Sequence, residues 1–312
     1  TSFSEKHTLP SMTIAVRPYL PDDLSAICDI YNALLVGRVP HCWPVAPSSL
    51  DKTLQAGEIE REETRLLEQA VLVAGSGGDG FVHVGRQATN KWQKDEIGVI
   101  RFLAYRRGER TVGDALLAAA ECWMRERDLR RSVVMPQPWR YPFYAFPHAY
   151  LSDHLDHVQA LVRFRGYAKT GGEVFLDWLD MQPKPTSDAS GLDYELCVED
   201  RLGAGSRPGL RLRAVQDGDG IGECELVSGA ESSSADEAHD FAFCEWLGVE
   251  EEHQGRGLGR FLLAHAMYLA RARGYRHGAI STAFDNDRAF LFYTNHGFRV
   301  VDWTYEFARE LS

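Results

Sequence analysis

At 312 residues the chain has room for about two ordinary domains and a sizeable core, since a domain takes ~100 to 200 residues. A hydrophobic content of 44% with 25% charged residues places it with soluble globular proteins, and a formal net charge of −11 weighs against general nucleic-acid binding. No apolar run approaches the ~20 residues of a membrane span and no secretory leader is visible, so a cytoplasmic protein with neither membrane nor nucleic-acid partner is expected.

The opening TSFSEKHTLPS reads as a tail, with Met12 the expected native start. Residues 14 to 55 carry a strand and early helices, and VLVAGSGGDGFVHVG (71 to 85) is two β-rich runs around a Gly-Asp-Gly turn, a hairpin signature. A polar loop, RQATNKWQKDE, leads to the apolar strand IGVIRFLAY (97 to 105), an Arg/Gly turn, a long helix, and then an aromatic and proline-rich insert, PQPWRYPFYAFPHAY. A further helix ends at the corner Gly166-Tyr167, and MQPKPTSDASG (181 to 191) has linker composition. The same plan then repeats: hairpin RLRAVQDGDGIGECELV (211 to 227), polar loop AESSSADEAHD, strand FAFCEWLGV (241 to 249), Arg/Gly turn, long helix, last helix and the corner Gly297-Phe298. The long helices align without a gap from Gly113/Gly259 through Arg130/Arg276. The six cysteines are scattered and are expected to be buried, reduced thiols. HAYLSDHLDH holds His154 and His157 beside Asp153 and Asp156, but no second ligand set is visible and no metal is expected.

The second copy places HQGRGLGRFLL (253 to 263) directly between strand and helix. A helix N-terminus presents free N–H groups and partial positive charge, and glycines at 257 and 259 leave room for an anion, so this turn is read as a pyrophosphate seat. Gln254-Gly255-Arg256-Gly257-Leu258-Gly259 matches the Q/R-x-x-G-x-G/A signature of the GNAT superfamily of acyl-CoA N-acyltransferases. Asn286-Asp287-Arg288-Ala289-Phe290-Leu291-Phe292-Tyr293, followed by Gly297-Phe298, resembles that family's N-x-x-A-x-x-F-Y...G-F segment.

The resemblance implies an α+β fold of two tandem GNAT-like domains, an architecture similar to that of the mycothiol synthases. Each would be a mixed, mostly antiparallel sheet flanked by helices with a splayed parallel strand pair, over residues 12–180 and 192–312 around a 181–191 linker. It also implies acetyl-CoA as co-substrate, with pantetheine along Glu245 to Val249 and coenzyme A contacts from Leu247, Val249, Gln254, Gly255, Arg256, Gly257, Leu258, Gly259, Arg260 and Asn286. Glu245 would take the amine proton, the N–H of Leu247 or Val249 would polarise the thioester, and Tyr293 would act as general acid. Asn at a helix start also caps it.

In the first copy Gly108, Thr111, Leu155, Val162 and Arg101 stand where the second has Gln254, Gly257, Asn286, Tyr293 and Glu245, so the first copy is expected to be catalytically dead. The second copy has no room for early helices, and the acceptor pocket is expected at the seam, with Trp43, Trp139, Tyr141 and Tyr144 as candidate contacts. The expected acceptor is a small-molecule primary amine. A protein or peptide amine, or a non-catalytic acyl-CoA sensor, is the alternative, and the oligomeric state is left open.

Overall fold

The computed structural model describes residues 14–55, 57–61, 63–75, 78–188 and 190–312, so Met12 and the N-terminal tail lie outside the described residues. The first half runs β1 (Val16–Pro18), α1 (Leu24–Leu35), α2 (Pro47–Leu54), β2 (Ile59–Arg61), β3 (Thr64–Ala74), β4 (Gly80–Gln87), β5 (Ile97–Tyr105), α3 (Arg110–Arg125), β6 (Arg131–Val134), β7 (Leu151–Ser152), α4 (Asp156–Phe164) and β8 (Ala168–Trp178). The second runs β9 (Glu195–Arg201), β10 (Gly209–Gln216), β11 (Asp219–Ser228), α5 (Asp236–His239), β12 (Phe241–Val249), α6 (Leu258–Ala272), β13 (His277–Ala283), α7 (Asp287–Thr294) and β14 (Arg299–Glu310). Both hairpins, β3–β4 and β10–β11, form as their sequences predict. The loop before β12 is more ordered than its polar composition implies, because it holds the short helix α5. No helix of the described residues is long and apolar enough to cross a membrane.

The strands join one mixed sheet, β1-β3-β4-β5-β6-β14-β8-β13-β12-β11-β10-β9, with β2 on β3 and β7 on β14. Two pairs in it are parallel, β5–β6 and β12–β13. The last strand of each half crosses over. β14 pairs with β6 of the first half, and β8 pairs with β13 of the second. The two crossed strands then pair with each other, and their register is symmetric: Arg299 faces Asp177 while Ala308 faces Ala168. Counting from the Gly-aromatic corners, Ala168 is equivalent to Arg299 and Asp177 to Ala308, so a pseudo-twofold axis passes through the middle of this strand pair. The apolar packing follows the crossing: Phe307 is buried with the first-half core and Val174 and Leu176 with the second-half core.

Residues 179 to 194 link the halves without helix or strand among those described, and no counterpart of α1 and α2 precedes β10. The cysteines are all free, but Cys122 is exposed and Cys197 half-buried, against the expectation that all six are buried. Position decides this: Cys122 lies on the outer face of α3, and Cys197 on the outermost strand, β9. Trp139, Tyr141 and Tyr144 are each at most 1% exposed and pack in the interior, so they offer no acceptor surface; only Trp43 of that set is partly exposed.

Candidate active site

The site is organised by a bulge in β12. Trp246 pairs with Glu225 and Cys244 with Leu226, which leaves Glu245 as the extra residue. Such bulges bend a strand and re-aim a side chain. Pairing of β12 with β13 stops at Cys244↔Ile280, so Glu245 to Val249 has no strand on that side while remaining paired with β11 on the other. The parallel pair is splayed from the bulge onward.

A cavity of about 650 Å³ opens on the far side of this splay, lined by Leu247, Gly248, Val249, residues 253 to 260, Asn286, Arg288, Ala289 and Phe292. It brings together every predicted cofactor contact. Gly257 caps α6 at φ 96°, and Gly255 lies at φ 75°, backbone conformations that favour glycine. A Cβ at Gly255 would meet nothing within 4 Å, and one at Gly257 only Arg260 Nη2 at 3.7 Å, so the space over the turn is open. The first N–H groups of α6 face it without intrahelical partners. Arg256, Arg260 and Arg288 form no ion pair among the described residues, in a chain whose arginines are mostly paired with carboxylates. Arg288 instead donates to Gln254 Oε1 at 3.2 Å, and Gln254 Nε2 donates to Val249 O at 2.9 Å. Three unpaired guanidiniums around a helix N-terminus fit a pyrophosphate. Asn286 accepts from Ala289 N at 3.1 Å, so it caps α7 as well as lining the cavity.

Glu245 faces a second cavity of about 880 Å³ at the seam, walled by Glu231 and Glu245 from the second half and, from the first, by Arg61, Arg140, His148 and neighbours on β2, β4 and the insert. The two cavities therefore share β12, with Glu245 in one and Leu247 in the other, about 7 Å apart along a strand. Burial raises the Glu245 pKa above the ordinary 4.5, against the pull of Arg201, whose Nη2 lies 3.6 Å from its carboxylate. His148 reaches the main chain of Glu245, and burial lowers its pKa. Tyr293 is outside the mapped lining of both cavities. It is 7% exposed, in the core beside Phe298, and Cys244, Cys224 and Glu173 are its charged or ionisable neighbours. Burial pushes its hydroxyl pKa well up, so it remains protonated at neutral pH.

The first half has the same bulge, since His83 pairs with Phe102 and Val84 with Ile100. Arg101 is the extra residue there, 2% exposed, donating to Trp139 O at 3.0 Å. The insert aromatics fill the space behind it. At the strand end Tyr105 Oη donates to His157 O at 2.8 Å while His157 Nε2 and Tyr105 O lie 3.0 Å apart, bridging β5 to α4. Only about 290 Å³ remains, beside Tyr105, Gly108 and Arg110. Of the metal-like cluster, Asp156 pairs with Arg107. Asp153, His154 and Asp302 come within 4.8 Å of one another.

Residues 175–298 match the Acetyltransferase (GNAT) family profile. This segment, most of the second half, carries a GNAT acetyltransferase domain. GNAT proteins use acetyl-CoA as co-substrate. A segment of 56 residues is 43% identical to mycothiol acetyltransferase from Jonesia denitrificans, covering 18% of this chain and 18% of that protein, so the similarity spans about a fifth of the curated relative. Among solved structures, a tandem GNAT protein from the clavulanic acid biosynthesis pathway superposes with a TM-score of 0.64 at 16% identity, over 96% of this chain and 99% of that one. A GCN5-related N-acetyltransferase from Sphaerobacter thermophilus gives 0.59 at 14% identity, covering 97% of each. A glucosamine N-acetyltransferase region of a fungal multi-domain β-N-acetylglucosaminidase gives 0.65 at 17% identity, over 95% of this chain and 38% of that one. At these identities the likeness concerns the fold.

Sequence reasoning missed Arg140, His148, Arg201, Glu231 and Arg288. Arg288 lies inside the quoted motif, and Arg140 stands between two aromatics of the insert.

Proposed function

We propose that the second half, residues 192–312, transfers acetyl directly from acetyl-CoA to the primary amine of a small molecule, and that the first half, residues 12–180, is catalytically silent and supplies the acceptor wall. The observation that carries this reading is the bulge: it aims the Glu245 carboxylate into the seam cavity while the next residues of β12 edge the cavity at the glycine turn. Arg256, Arg260, Arg288 and the α6 N-terminus would hold the pyrophosphate, with Gln254 and Asn286 beside it. Glu245 takes the proton of the attacking amine, directly or through water, and burial shifts its pKa upward, the direction that makes the carboxylate a stronger base. The N–H of Leu247 or Val249 polarises the thioester carbonyl, and Tyr293, kept protonated by burial, returns a proton to the departing thiolate. The similarity to a mycothiol acetyltransferase supports a small-molecule acceptor.

Release of free thiol from acetyl-CoA, followed across a panel of amines with mass detection of the acetylated product, tests the proposal. Amine-dependent thiol release that disappears in Glu245→Gln is expected. Coenzyme A binding with no acetylation of any amine would leave a sensor.

A further inference from the structure

The seam cavity is electrically polar. At its second-half end one guanidinium, Arg201, serves three carboxylates: Glu225 at 2.6 Å, Glu231 at 2.7 Å and Glu245 at 3.6 Å. That corner carries an excess of negative charge. At the first-half end the balance reverses. Arg140 lines the cavity and has no carboxylate within ion-pair distance among the described residues, and neither does Arg61. Glu63, the acid of the lining on the first-half side, is engaged by Lys91. The Arg140 guanidinium is deeply placed, and its pKa falls to about 10, first through burial and then through Arg61, with Glu245 across the cavity offsetting part of the fall. Its Nη1 is spent on the carbonyls of Tyr141, Pro142 and Tyr144 at 3.1, 3.4 and 3.2 Å. Its Nε and Nη2 have no hydrogen bond among the described residues, yet they are not among the buried polar atoms sealed off without a partner. They are therefore open to the cavity. A largely buried cation with free donors and no carboxylate in ion-pair contact is costly unless something anionic completes it.

We infer that the acceptor carries an anionic oxyacid group as well as its amine, the amine lying at the Glu231–Glu245 end and the anion on Arg140 and Arg61. This rests on the acyltransfer reading above and narrows its substrate class to amino acids and amine-bearing phosphates or phosphonates. A guanidinium fork held rigid by three carbonyls is suited to a planar carboxylate or a phosphoryl group, and the carboxylate corner would draw in the ammonium before Glu245 deprotonates it. The silent half would then select the substrate.

The experiment uses the full chain with acetyl-CoA and matched acceptors: 3-aminopropanoate against propylamine, and 2-aminoethylphosphonate against ethylamine. The anionic member of at least one pair is expected to have the higher kcat/KM, and the pair that shows it distinguishes carboxylate from phosphoryl recognition. Arg140→Gln should raise KM for that member ~10- to 100-fold with little change for its uncharged partner, while Arg140→Lys restores part of the loss. Because Arg140 also braces the insert, Arg61→Gln, on an exposed strand, repeats the test where folding is not at stake. Equal kcat/KM within both pairs, or equal losses for charged and uncharged members in Arg61→Gln and Arg140→Gln, would overturn the anion subsite while leaving acyltransfer intact. Should no amine be acetylated, calorimetric titration of 2-aminoethylphosphonate decides separately: binding that Arg61→Gln weakens upholds the subsite, and no binding removes it.

Discussion

Arg101 and Glu245 occupy the same bulge in the two halves, one buried against the Trp139 carbonyl and the other directed into the seam cavity. The backbone device is present in both halves, and a carboxylate stands at it in only one.

Glu245→Gln should lower kcat by ~10² to 10⁴, the usual worth of a general base. The wild type should also lose kcat/KM as pH falls, because the base must be ionised. Burial raises its pKa, so that acid limb should sit above the ordinary carboxylate value of 4.5. A pH profile of both proteins checks this. An unchanged limb in the variant would assign it to another group.

Tyr293→Phe should lower kcat about ten- to a thousandfold with little change in acetyl-CoA affinity, since the side chain lies in the core and outside the mapped cofactor cavity. Single-turnover rates and calorimetry separate the two effects. Unchanged chemistry would make Tyr293 a packing residue only.

Gly257→Val should weaken coenzyme A binding at least about tenfold, because a β-branched residue is strained at φ 96° where the backbone enters α6. Thr111→Val, at the equivalent and exposed position of α3, should leave turnover unchanged. Equal losses would show that both turns bind cofactor.

Glu173, on the crossed strand β8, has its pKa raised to about 7, chiefly by burial. The fold thus favours its protonated form, and the unfolded chain ionises first. Stability should fall as pH rises from about 4.5 to 7, by at most roughly 3 to 4 kcal/mol from this group. Glu173→Gln should gain about that much on wild type at pH 8 and almost nothing at pH 4, measured by denaturant unfolding.

A fragment beginning at Gly191 should not fold as a monomer. It would strip β13 of β8 and leave β14 without β6 and β8, exposing three unsatisfied strand edges. Size-exclusion chromatography and circular dichroism report the outcome. A monomeric, native-like fragment would mean that β14 can fold back beside β13.

The hairpins, the long helices and the glycine turn were legible because each is written locally, in period-2 or period-3.6 patterning and in glycines where positive φ is needed. The strand exchange was not, since β8 and β14 carry equivalent patterns and either could lie beside either parallel strand. The bulge at Glu245 is a register event between two strands and leaves no mark in one. Arg140 and His148 sit in an irregular insert whose aromatics drew attention to themselves. Those aromatics turned out to be the interior, and the polar residues between them the wall.

The symmetric register of β8 against β14 gives this single chain the geometry of an isologous dimer whose subunits are tethered. Its assembly is intramolecular, so the association that such a pair would otherwise owe to mass action is fixed by the tether, and its melting temperature should not vary with protein concentration. Freed from having to bind a second identical copy, each half could diverge alone. Under the proposed function, one half is the floor on which the other's substrate lies.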